Sequence, residues 1–206
     1  MTSALSDRRR IGPVPLRVGM SPEEIFAAYE LTCPPRVGTL RDPSRKTYGV
    51  GVARIAAQLG QPLMPWQRYA VDTALEVDPE TGWLVYRGTT RVTSRFTTRL
   101  ANGSESILWD TGALDSITAN TETSGHGPTL DLGVEDEFWA AIDHRLEQAF
   151  SPAMLTRWSP QHWRVSTEGT EASTYMATKV KLGRAVVEAG EPTQICYLEW
   201  SDLDGP

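Results

Sequence analysis

Residues 127–139 read GPTLDLGVEDEFW. After Gly127 and Pro128, an apolar run ends in two adjacent carboxylates, Asp136 and Glu137. A buried strand that stops at such a pair can present a metal ligand and a water-activating base together. In open α/β sheets that edge, at the carboxyl ends of the strands, is where ligands bind. A purely structural reading also exists, because acids at the start of a helix complement its dipole. The surroundings of the pair therefore carry the decision.

Downstream, EDEFWAAIDHRLEQAF (residues 135–150) has the spacing of an amphipathic helix. QHWRVST (161–167) reads as a strand, TEASTYMATKVKLGRAVVEAG (170–190) as a helix and TQICYLEW (193–200) as a final strand. Strands that alternate with helices point to an α/β sheet with parallel strands. On such a sheet Asp136, Glu137, Ser166 and Thr167 all fall at carboxyl ends. VSTEGT (165–170) also reads as a cap and turn, since Ser, Thr and Gly all suit one.

Upstream, WLVYR (83–87) reads as a short strand, and ESILWD with LDSITA as two strands about a turn at Thr111 and Gly112. The polar stretch GTTRVTSRFTTRLANGS (88–104) has no clear element. YGVGVARIAAQLG (48–60) carries Val52, Ile55, Ala56 and Leu59 at helical spacing, with Gly60 as the stop. LMPWQRYAVDTALEVD (63–78) follows as a second helix, with Trp66, Ala70, Thr73, Ala74 and Val77 on one face. Residues 50–77 are thus expected to form two packed helices with Trp66 and Tyr69 largely buried. In SPEEIFAAYE (21–30), Ser21 caps, Pro22 suits the first helical position and Glu24 completes a capping box. Residues 1–45 are otherwise rich in Pro, Gly and Arg and read as a flexible N-terminal region.

Composition bounds the function. The chain has 206 residues, enough for an ordinary domain with a sizeable core. Its net charge of −6 argues against strong autonomous DNA binding, which calls for a basic face. No apolar run approaches the roughly 18 residues of a membrane span. MTSALSDRRRIGPVPLRVGM has basic residues but no apolar stretch after them, so it is not a signal peptide. Cys33 and Cys196 make neither a disulfide framework nor a zinc spacing, and fit a reducing cytosol. His126, His144 and His162 lie in unrelated elements and make no ligand cluster. GHGP (125–128) is a glycine-rich turn without the Gly-Lys-Ser/Thr ending that phosphate cradling needs.

PPRVGTLRDPSR, LGQPLMPWQRYAVDTALEVDPETGWLVYR, GHGPTLDLGVEDEFW, RLEQAFSPAMLTRWSPQHWRVSTEGT and KVKLGRAVVEAG with YLEWS occur in that order. Over most of residues 33–201 the chain resembles the large terminase subunit of tailed phages that infect actinobacteria, the motor that pushes viral DNA into the procapsid. The resemblance implies a partial RecA-like P-loop NTPase sheet with flanking helices over residues 46–206, preceded by the helical N-terminal segment. It also implies ATP and Mg2+ as cofactors. Portal protein, small terminase subunit and double-stranded DNA would be the partners, in the host cytoplasm and away from any membrane. By position, Asp136 would hold magnesium through water and Glu137 would polarise the attacking water. Ser166 and Thr167 match the strand-end motif that senses the γ-phosphate. Gln67 matches the glutamine that reads the adenine edge, where an amide can donate and accept at once.

Three departures qualify that expectation. No Gly-Lys dipeptide occurs anywhere in the chain. The family's phosphate loop should follow VYR closely, so an internal deletion is inferred near Tyr86–Arg91, with Arg91, Arg95 and Arg99 beside it. Glu135 stands where the strand is expected to be apolar. The sequence stops at YLEWSDLDGP, where a nuclease half is expected to begin. The expectation is a shortened terminase large subunit with little or no ATPase activity. The alternative is a non-catalytic module that docks to portal or small terminase. Loss of a central strand beside the one carrying Asp136 should leave edges and apolar side chains uncovered, and stability low.

Overall fold

The computed structural model describes residues 11–86, 96–99, 106–109, 112–115, 129–141 and 143–201. Among these residues the chain is mixed α/β, with small sheets and one parallel strand pair. It divides into two compact units: residues up to 87 with those from 179 onward, and residues 88–178.

In the first unit, helix α1 (Pro22–Ala28) starts with the capping box expected from its sequence. Ser21 N–H donates to the Glu24 carboxylate at 2.7 Å, and Glu24 N–H donates to Ser21 Oγ at 3.3 Å. This satisfies two of the N–H groups that a helix start leaves bare. The helix buries Ile25, and Tyr29 follows at its end. Both pack on Tyr69, with Val14, Leu16, Met20, Leu198 and Trp200 around them. The rings of Tyr29 and Tyr69 meet edge to face at 5.2 Å. The stretch read as a flexible N-terminal region is therefore packed from Val14 onward. Its apolar side chains supply one wall of a core, a role that its Pro and Gly content hides.

Strand β1 (Val37–Gly38) pairs later with a strand near residue 198. Strand β2 (Lys46–Thr47) leads into α2 (Gly49–Gln58) and α3 (Pro65–Ala74), and β3 (Glu76–Val77) returns antiparallel to β2. The two helices stand where the sequence put them, but they turn different faces inward. Helix α2 buries Gly49 and Ala53 and leaves Val52, Ile55 and Leu59 exposed. A Cβ on Gly49 would collide with Asp72, so α2 approaches α3 through its smallest residues. Helix α3 buries Arg68, Tyr69, Asp72, Thr73 and Ala74. Tyr69 is fully buried as expected. Trp66 is 44% exposed and meets Trp200 at 5.7 Å, which corrects the expectation that both rings are enclosed.

Buried charges explain the inward polar face of α3. Arg68 pairs with Asp72 at 2.9 Å, and the Tyr29 hydroxyl donates to Asp72 at 2.9 Å. In β3, Glu76 is paired with Arg41 at 2.8 Å and with Arg45 at 3.0 Å, and it also accepts from Asp42 N–H. Burial pushes the Glu76 carboxyl above its ordinary range, and the two guanidinium groups pull against that. Such pairs are tolerated inside because every charge meets its opposite. The expected strand at 83–87 shortens to a single bridge between Val77 and Leu84.

In the second unit, β4 (Phe96–Arg99), β5 (Ser106–Trp109) and β6 (Gly112–Asp115) form an antiparallel meander. The polar stretch without a clear element thus supplies β4. The second expected strand begins at Gly112, earlier than LDSITA suggested. The GHGP turn, His126, Arg91 and Arg95 lie outside the described residues. Strand β7 (Leu132–Glu135) pairs in parallel with β8 (Gln161–Arg164), and α4 (Arg145–Met154) crosses between them. Phe150 and Met154 of α4 lie against Gly133, where a Cβ would collide with the Phe150 ring.

The amphipathic helix expected from residue 135 is not continuous. Glu137 takes a left-handed conformation at φ 53°, and Phe138–Ala140 form a single 3-10 turn. Ala141 is extended, and Asp143 accepts from Arg145 N–H at 3.0 Å ahead of α4. Helix α5 (Thr174–Ala189) opens in the second unit and closes in the first. There Gly183 lies under the ring of Tyr197, and β9 (Leu198–Glu199) pairs antiparallel with β1. The final strand is thus two residues long, where eight were expected to be extended.

Candidate functional site

The parallel pair brings its carboxyl ends side by side, with Glu135 opposite Arg164. Asp136 and Glu137 leave the end of β7, and Ser166 and Thr167 leave the end of β8. Backbone bonds tie the two exits together: Val165 N–H donates to Glu135 O at 2.9 Å and Phe138 N–H to Val165 O at 3.2 Å. Trp139 N–H then donates to Ser166 Oγ at 2.9 Å. Four of the five residues singled out by the sequence thus occupy one edge, all of them exposed. The fifth, Gln67, belongs to the first unit. Its side-chain oxygen accepts from Met64 N–H at 2.9 Å and closes the start of α3.

Within this edge the acceptors are already engaged. Asp136 Oδ1 accepts from Glu137 N–H at 2.9 Å. The Glu137 carboxylate accepts from the indole N–H of Trp139. The 3-10 turn is anchored behind by Ser173, whose hydroxyl donates to Trp139 O at 2.8 Å. As arranged, these residues do not fit a magnesium triphosphate. One carboxylate is folded onto its own backbone, the other is held by an indole, and the serine hydroxyl is taken by a main-chain N–H. Among the described residues no group of three or more His, Cys, Asp and Glu side chains is placed to share a metal ion. No step of hydrolysis follows from this geometry.

Immediately below the edge lies a charged cluster that the sequence signalled only through Glu135. Glu135 is 5% exposed, and its carboxylate lies against the His162 imidazole of β8. Arg164 lies 3.7 Å from Glu135 and 3.3 Å from Glu147 of α4. The Tyr175 hydroxyl, on α5, donates to Glu147 at 2.7 Å. Burial first, and then that bond to a carboxylate, push the Tyr175 phenol well above its ordinary range. Arg164 also sits over the Phe138 ring at 5.5 Å from its centroid. Arg164 Nη2 is 3.0 Å from His162 Nδ1. A guanidinium only donates, so in this arrangement His162 Nδ1 accepts.

A hollow of about 330 Å³ opens at the start of α4, lined by Asp143, His144, Arg145 and Gln148. Asp143 and Arg145 pair at 2.9 Å, and that contact draws the Asp143 carboxyl down to about 2. Their charges are thus spent on each other. No helix among the described residues is long and apolar enough to cross a membrane. No protein-family model, no curated protein and no solved structure matches this chain.

Proposed function

We propose that this chain is a shortened large terminase subunit, related to the ATP-driven motor of phage DNA packaging, with little or no ATPase activity of its own. The reading rests on the resemblance of its ordered motifs. One observation supports it most: Asp136–Glu137 and Ser166–Thr167 leave adjacent parallel strands at the same edge. In this reading β7 and β8 are part of a RecA-like sheet, and the site works in the host cytoplasm. ATP and Mg2+ are its ancestral ligands, through Asp136, Glu137, Ser166, Thr167 and Gln67. Catalysis of phosphoryl transfer is chiefly positioning and charge neutralisation. A chain without a Gly-Lys-Ser/Thr loop lacks the backbone cradle and the lysine that provide both.

The second reading, a module that docks to portal or small terminase subunit, draws on α2. Val52, Ile55 and Leu59 stand 38%, 48% and 76% exposed along one face of that helix. An apolar stripe of this kind is the form a helix takes when a partner covers it. Double-stranded DNA would then be met through those partners, in keeping with a net charge of −6.

Magnesium-dependent ATP turnover of the full chain, beside Glu137→Gln, tests the first reading. No turnover above the variant is expected. Turnover of about one per second, in the range of working kinases and lost in Glu137→Gln, would overturn it. Binding of the chain to purified portal and small terminase, lost on Ile55→Asp, would favour the docking module.

A further inference from the structure

We propose that residues 12–16, GPVPL, are an exchangeable arm, which in a dimer lies on the Ile25–Tyr69 seat of a second copy of this chain. The exchange concerns the first unit alone and stands apart from the nucleotide reading of the β7–β8 edge. The arm already has the form of a docked peptide. Gly12, Val14 and Leu16 are half-buried, while Pro13, Pro15 and Arg17 between and after them are exposed. That period of two belongs to an extended chain laid along a surface. Val14 and Leu16 pack on the buried Ile25, Tyr29 and Tyr69. Arg68 of α3, 4% exposed, donates through Nη2 to Gly12 O at 2.9 Å. A buried guanidinium thus holds the arm by its backbone. No strand among the described residues pairs with the arm, so it is seated by side chains rather than woven into a sheet. Its two prolines fix φ and reduce the freedom that docking removes.

A single tight turn joins the arm to α1. Met20 N–H donates to Arg17 O at 3.3 Å, and Arg17 N–H donates to Met20 Sδ at 3.1 Å. Gly19, the third residue of that turn, sits at φ 88°. A positive φ at this position is what calls for glycine. Val18 is 78% exposed, and a Cβ on Gly19 would meet nothing within 4 Å, so the turn has no packing of its own. It can straighten without disturbing the core. The seat, by contrast, cannot be left bare. With the arm in place Ile25 is 1% exposed and Tyr69 0%. An arm that lifts must be replaced, and the segment that already fits, side chain by side chain and at the Gly12 carbonyl, is the same arm of another copy. In the exchanged pair each seat keeps the contacts it makes here and only the turn differs, which is why such swaps cost little.

The test uses the full chain and Gly19→Val, a substitution that strains the closed turn and touches neither arm nor seat. Light scattering over a concentration series should show Gly19→Val dimerising at least about tenfold more tightly than the wild type, because two strained turns are relieved in each dimer. In an equal mixture of 13C-labelled and unlabelled Gly19→Val, the Val14 and Leu16 methyl groups of the labelled copy should show nuclear Overhauser contacts to the Tyr29 or Tyr69 ring of the unlabelled one. A Gly19→Val chain that melts cooperatively and associates no more than the wild type overturns the exchange. A dimer without those contacts between copies overturns it too, and Ile55→Asp then shows whether the exposed stripe of α2 carries the association instead. Should Gly19→Val lose its cooperative melt, the same mixed labelling of the wild type decides. At about 1 mM the copies match the effective concentration of a short tether, so the contacts between copies must appear, and their absence overturns the proposal.

Discussion

The Glu199 carboxylate holds four donors at once. Arg184 reaches it through Nε at 2.8 Å and Nη2 at 2.7 Å, Tyr197 through its hydroxyl at 2.6 Å and Ser201 at 2.7 Å. Arg184 above all, with the two hydroxyls, holds the carboxyl down at about 2, against an ordinary value of 4.5. A carboxyl that is more acidic folded than unfolded stabilises the fold above its unfolded value, and that stability is lost as pH falls toward the folded one. Urea unfolding should therefore show the first unit weakening between pH 4.5 and about 2. In Arg184→Met the same window should show a clearly flatter fall, and an equal slope would refute the assignment. Other residues were less legible from the sequence. Arg68 and Asp72 of α3 lie at helical spacing, so a pattern reading sends them to solvent. Each is buried because it finds the other, and only the fold brings Tyr29 to them. Glu137 was legible as a carboxylate at a strand end, but its left-handed backbone was not, because that depends on Val165 and Ser166 some 30 residues away.

Among the elements, the β7–β8 pair was readable because its sequence signals are local: an apolar run, a helix, a second strand. Its register was not, since it is fixed by α4 packing on Gly133 and by the pairing of Glu135 with His162 and Arg164. Glu135 departs from an apolar strand pattern, and the structure gives the reason: it is the buried carboxylate of a charged cluster in which Arg164 of β8 lies between Glu135 and Glu147 of α4. Removing one member of a buried pair leaves its partner charged and without compensation. Glu135→Ala should cost about 3 kcal/mol, the low end for such pairs because Arg164 retains Glu147 and some solvent. Chemical denaturation would check this, and a loss below about 0.5 kcal/mol, the surface-substitution range, would show the cluster to be incidental. The break in the expected helix at 135–150 has a local signal in the sequence. Asp143 is a strong helix-start residue, and its side chain accepts from Arg145 N–H two residues on.

For the whole chain, the expected shortage of covering elements meets a surface with many large apolar side chains. Val134 in the middle of β7 is 55% exposed, and Leu155, Trp158 and Leu59 are 82%, 65% and 76% exposed. Such a surface favours self-association or a partner. The purified chain is expected to melt below about 60 °C, inside or under the usual mesophile range, and to associate as concentration rises. A monomer by light scattering with a cooperative melt well above that temperature would contradict the shortened-motor reading of its sheet. The first unit carries one more consequence, and it concerns birth rather than stability. Among the described residues its β1 strand pairs with β9, and the neighbouring bond from Tyr197 to Thr39 joins residues 158 apart. A ribosome adding 5–20 residues per second makes the second partner roughly 8–30 s after the first. Through that interval Tyr29, Tyr69 and Trp66 stand without the Leu198 and Trp200 that will cover them. The nascent chain is then an open invitation to chaperones, and synonymous codons between residues 86 and 179 would set how long that invitation lasts.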